Sequence, residues 1–149
     1  MSASQRVQLF RPGVSEAASL HPERPDLDTP EHIERMVELF YDKVLVDELL
    51  APLFLEVAQI DLQEHLPLIS AFWKKLLLGD PSYNRNMVAK HRAVDDKERL
   101  TGQHHERWLS LFNANLDEHF AGPYSDRARQ LAARVINNLY EQLSQRPHG

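Results

Sequence analysis

Two histidines on neighbouring segments, His65 and His91, are the residues around which chemistry could gather, with Tyr41 and Trp108 as companions. His65 lies in an apolar stripe of Leu62, Leu66, Ile69, Trp73, Leu76 and Leu77 at helical spacing. His91 follows the breaker Gly79-Asp80-Pro81 on a second, shorter segment. Tyr41 and Trp108 stand on or beside the stripes of two further helices. Taken singly, each has a simpler reading as a core residue whose polar tip needs a partner. Taken together, they offer three polar tips from three apolar helix faces, plus an imidazole that can bind a metal. That set suits a flat apolar metal cofactor. Such a cofactor needs one neutral imidazole on the metal, apolar walls, and donors opposite for a small ligand. Phe40, Phe54, Ile69, Trp73 and Phe112 supply walls.

Other metal chemistries fit less well. His-x-x-x-His occurs nowhere among the eight histidines, and His105-Glu106 meets Leu109 where a zinc-protease helix needs its second histidine. No glutamate begins the Glu-x-x-His of di-iron bundles. Cysteine is absent, which removes disulfides, thiol nucleophiles and thiolate-bound metals. His21, His32 and His148 lie on polar or loose segments. His104 and His119 read as solvated, and His105 as partly buried with no role assigned.

Length and charge narrow the classes further. The 149 residues suit one domain with a real core. Only five glycines disfavour a many-turned β fold. A net charge of −5 without a basic run argues against nucleic acid. No apolar run approaches the roughly 20 residues of a membrane span, and the N-terminus has no long apolar segment. A cytoplasmic monomer is the expectation.

The elements that must carry these residues are all helical, with no strand alternation and no repeat. Residues 1–28, with Pro12, Pro22 and Pro25, read as a partly ordered extension in which Val7, Leu9, Phe10 and Leu20 could dock on the body. The body spans 29–144, and 145–149 form a frayed tail. Thr29-Pro30-Glu31 starts a helix bearing Ile33, Met36, Val37, Phe40, Tyr41 and Val44. A short helix is expected from Asp47, broken by Pro52. The helix of residues 62–78 contains Pro67, so either it begins near Pro67 or its first turn is distorted. Tyr83 to Val94 reads as a short helix plus a loop, Asp96 to Ala121 as one long helix ended by Gly122-Pro123, and the last helix starts at Ser125 or Asp126.

The ordered set resembles the truncated haemoglobins of group III. It comprises Phe40-Tyr41-Asp42-Lys43-Val44, Leu50-Ala51-Pro52-Leu53-Phe54, His65-Leu66-Pro67, Phe72-Trp73, Leu76-Leu77-Leu78-Gly79, Tyr83-Asn84, Lys90-His91 and Trp108-Leu109-Ser110-Leu111-Phe112. The likeness spans roughly Pro30 to Leu143, and like group III the chain has no Gly-Gly pair. It implies a two-over-two globin binding haem b. By that likeness His91 is the axial ligand of the iron, and Tyr41, His65 and Trp108 are the distal residues. Phe54 packs on the porphyrin, and Lys90 meets a propionate.

The implied ligands are O2, CO, NO and peroxide, with an unidentified reductase as partner. Two donors, Tyr41 and Trp108, would hold O2 tightly, which suits O2, NO or peroxide chemistry better than transport. NO dioxygenase-like or peroxidase-like activity is open. Three roles stay open for His65: donor, gate, or sixth ligand. Two alternatives stand beside this reading, a haem-based sensor acting through a partner and a haem-free helical interaction protein. Departures from the family lie at Arg85 and Met87, where a Gly and a Pro are frequent, and at Asp95-Asp96, expected as a polar loop that hydrates the proximal edge.

Overall fold

A computed structural model describes residues 24–81, 83 and 87–144. The expectations for Val7, Leu9, Phe10, Leu20, His21, Arg85, His148 and the tail lie outside the described residues, as does the side chain of Met87. Among the described residues every regular element is helical.

Helix α1 is Pro30–Val44. Thr29 caps it by accepting from His32 N–H at 3.1 Å, and Pro30 occupies the first turn, where a missing N–H costs nothing. Its stripe, Ile33, Met36, Val37, Phe40, Tyr41 and Val44, is buried. Helix α2 is Leu62–Leu78, capped by Asp61, which accepts from Gln63 N–H at 3.0 Å. It runs from Leu62 through Pro67, so a helix beginning near that proline is excluded and His65 lies in the first turn. Gly79 closes α2 at φ +77°, a left-handed conformation glycine adopts without penalty.

Helices α3 (Met87–Lys97), α4 (Gly102–His119) and α5 (Pro123–Ser144) follow. The α1–α2 pair stacks on the α4–α5 pair, with α1 packed against α4, which gives the two-over-two globin-like arrangement. Helix α3 lies to one side, against α5 and the π-helical segment Leu53–Val57.

Several boundaries differ from the sequence expectations. Asp47 does not begin a helix. Its Oδ2 accepts from Leu49 N–H at 3.1 Å and Leu50 N–H at 3.0 Å, a side-chain turn that competes with helix. The helical turn covers 51–57, and Pro52 sits at its start rather than its end, since an N-terminal position needs no N–H. The long helix expected from Asp96 is divided. Residues 96 and 97 finish α3, and Thr101 opens α4 through a capping box in which His104 Nδ1 accepts from Thr101 N–H at 2.9 Å. Asp95 is therefore helical and buried, and its Oδ1 accepts from Leu100 N–H at 2.7 Å.

Helix α5 starts at Pro123, two or three residues earlier than expected. Its cap comes from far away in the sequence: Asp26 accepts from Tyr124 N–H at 2.9 Å, Ser125 N–H at 2.7 Å and Ser125 Oγ–H at 2.9 Å. Leu27, beside that cap, is fully buried in the core.

Candidate functional site

Helices α1, α2, α4 and α5 leave an apolar cavity of about 160 Å³ between them. Tyr41, Phe40, Phe54, His65, Ile69, Trp73, His91 and Trp108 all line it. A second chamber of about 400 Å³ adjoins it, between the segment after Pro52 and α3. The two share Leu53, Phe54, His65, His91 and Leu100 on their walls, and Lys90 lines the second. Phe112 borders neither described chamber and is fully buried one layer behind. There it stacks between two indoles, 4.9 Å from Trp73 at 20° and 5.2 Å from Trp108 at 8°. Phe40 packs edge-on to Trp108 at 5.3 Å. Trp108 is thus held on one face and one edge, and its indole plane is fixed by packing.

The polar contact inside the cavity joins α1 to α2. Tyr41 Oη and His65 Nε2 are 2.6 Å apart. Phe54 packs edge-on to Tyr41 at 5.6 Å and to His65 at 6.4 Å, closing the corner around that contact. Burial pushes the Tyr41 phenol up, out of reach of ionisation, so it keeps its proton. Burial also lowers the His65 pKa, and the nearby His91 lowers it further, so His65 is neutral. A neutral imidazole can either accept from Tyr41 or donate to it, according to which nitrogen carries the proton.

Other cavity residues escaped the sequence reading. Val135, Ile136 and Leu139 of α5 face it, as do Leu100, His104 and His105. The apolar three were recognisable as a helix stripe, but periodicity does not say which part of a stripe borders empty space. His104 is half-buried and tied into the α4 cap rather than solvated. His105 Nδ1 lies 2.7 Å from the Thr101 carbonyl, which only accepts, so Nδ1 carries the proton and Nε2 is bare. The Thr101-x-x-His104 box was a visible sign that α4 begins at 102 and carries His105 inward. Among the described residues no three His, Asp or Glu side chains gather as a metal-binding group. No described helix is long and apolar enough to cross a membrane.

The helices and the cavity between them define a globin-like fold. No protein-family model matches the chain. A group 3 truncated hemoglobin of Campylobacter jejuni, strain NCTC 11168, is 31% identical over 118 residues, spanning 74% of this chain and 91% of that protein. The crystal structure of the group III truncated hemoglobin from Campylobacter jejuni superposes with a TM-score of 0.68 at 29% identity, covering 77% of this chain and 91% of that one. The chain belongs to the group III truncated haemoglobins.

Proposed function

We propose that the chain binds haem b in the two joined chambers and takes a diatomic ligand, O2, CO or NO, on the face lined by Tyr41, His65 and Trp108. Family membership implies haem, and the cavity fits it. The walls are apolar and aromatic, and the chambers together reach the several hundred cubic ångströms typical of cofactor sites. His91 would hold the iron from α3, with Lys90 at a propionate. Bound haem would supply an iron centre that takes a small ligand. A haem-free interaction protein would have no use for such a cavity, which costs stability while empty.

The observation that carries the polar-pocket reading is the contact between Tyr41 Oη and His65 Nε2 at 2.6 Å. Tyr41 has one proton to give. If His65 carries its proton on Nδ1, Tyr41 donates to Nε2 and offers the ligand nothing. If His65 carries it on Nε2, His65 donates to the Tyr41 oxygen, and the phenol proton is free for the ligand. Trp108 Nε1–H donates under either condition. His65 is therefore both a cover over the cavity and the group that decides whether Tyr41 can act. Held by Trp108 and, in the tautomer that frees it, by Tyr41 as well, a ligand in this apolar pocket leaves slowly, which favours O2, NO or peroxide chemistry with an outside reductase over transport.

The test is laser-photolysis rebinding and O2 dissociation on Tyr41→Phe and His65→Leu. Tyr41→Phe is expected to speed O2 release with little change in access. His65→Leu is expected to speed access and to leave release within a few-fold. A large rise in O2 release from His65→Leu alone would contradict the assignment.

A further inference from the structure

The second chamber has a polar side of which the haem reading uses only Lys90. Its described lining contains two ammonium groups, Lys90 and Lys97, and no carboxylate. Both lysines are on α3, seven residues apart, and Val94 between them completes the helical i, i+4, i+7 row. Seven residues rise about 10 Å along a helix, so the two ammonium groups stand on one side of α3, two turns apart. His91 is next to Lys90, so the row begins beside the residue assigned to the iron.

Lys97 also makes a contact that Lys90 does not share. Its Nζ donates to the Val57 carbonyl at 3.5 Å, which links α3 to the end of the 53–57 segment. That carbonyl ends the π-helical segment carrying Phe54, where the helix presents partial negative charge. A bond of 3.5 Å to an exposed carbonyl is weak, and a carboxylate is a better partner for an ammonium.

We propose that Lys97 is a second carboxylate-binding residue of the cofactor site. It exchanges the Val57 carbonyl for one carboxylate of the tetrapyrrole while Lys90 holds the other. This rests on the haem reading above. The apolar ring edge would lie inward, where the walls are leucine and aromatic. The charged edge would lie at the mouth, where the only charges on the described lining are positive. The exchange releases the end of the 53–57 segment, so loading the cofactor and settling Phe54 against it become one event.

The experiment measures haem loss to an excess of a haem-scavenging apoglobin. It uses wild type, Lys97→Met, which keeps a similar stem, and Lys97→Arg, which restores the charge. Each is loaded in parallel with haem and with its dimethyl ester. Lys97→Met is expected to lose haem about three- to tenfold faster, between the worth of a surface ion pair and that of a charge-assisted bond. Lys97→Arg is expected to restore retention, and the diester should leave all three proteins at one rate. Equal haem loss from wild type and Lys97→Met would overturn the proposal. So would an equal acceleration for haem and diester, since that would locate the effect in the lysine stem or the Val57 contact. A wild type that forms no haem complex would sink the haem reading itself, a result distinct from either.

Discussion

At the scale of single residues, the sequence singled out side chains that the fold brings together, because polar tips on apolar stripes are conspicuous. Tyr41, His65, His91 and Trp108 come from four different helices, and all reach one cavity. What could not be read was the direct contact of Tyr41 with His65, since a distance between two helices depends on their packing and not on spacing within either. The same holds for Phe112, whose stripe position suited a wall equally well. Its place between two indoles gives a prediction. Phe112→Ala should cost about 3–5 kcal/mol of stability by analogy with other buried aromatic truncations, measured by urea unfolding. In a protein that still folds, it should also broaden the Trp108 indole N–H resonance, because the ring that holds the indole flat is gone. For Tyr41→Phe, a charge-assisted bond of about 1.5–3 kcal/mol corresponds to O2 release faster by roughly ten- to a hundredfold. Stopped-flow displacement of O2 by CO would measure it, and a change under threefold would remove Tyr41 as the main donor.

At the scale of elements, helix existence was legible and helix ends were less so. Periodicity and the Thr29-Pro30 start placed α1, and the Gly79-Asp80-Pro81 breaker ended α2. The failures share a cause, in that caps made by side chains override the pattern. Asp47 folds its own backbone into a turn, Thr101 pairs with His104, and Asp26 reaches α5 across about a hundred residues. The Asp26 cap makes two predictions. A methyl at Gly122 would stand 2.5 Å from the Asp26 carboxyl, and φ there is +132°. Gly122→Ala and Asp26→Ala should therefore each destabilise by about 1–2 kcal/mol, and the double variant by less than their sum, because the clash with the Asp26 cap is counted once while the backbone strain at Gly122 remains. Additive losses would show two separate defects.

The second prediction concerns pH. Burial raises the Asp26 carboxyl, but the N–H donors of Tyr124, Leu27 and Ser125 and the Ser125 hydroxyl outweigh it and hold the pKa below the usual carboxylate value. A depressed carboxylate contributes stability above its unfolded pKa of about 3.9 and loses it as pH falls through the lower folded value. The advantage of wild type over Asp26→Asn in urea midpoint should be steady above about pH 5 and shrink below pH 4. A difference that persists at low pH would contradict the carboxylate cap.

At the scale of the whole molecule, the two-over-two stack was recognisable from an ordered set of motifs, but the cavity was not. A void is a property of four packed helices and leaves no local mark on any of them. Leu27 shows the same limit from the other side: it reads as part of an extension and is fully buried. Helices held around a space of this kind should be tightened by whatever fills it. A ligand binding only the folded state stabilises it by mass action, so haem at a hundredfold excess over its dissociation constant should add about 2.7 kcal/mol. Thermal unfolding without haem and with free haem at that excess would read this as a clear rise in Tm, expected to be far smaller in His91→Ala.

The most direct test of the central claim is one absorption spectrum, recorded on protein given one equivalent of haem, first ferric and then reduced under CO. Wild type is expected to show a Soret band that shifts and sharpens with CO. His91→Ala is expected to weaken or abolish the band, and Tyr41→Phe to retain it. A wild-type spectrum equal to that of free haem, or a His91→Ala spectrum indistinguishable from wild type, would contradict that claim.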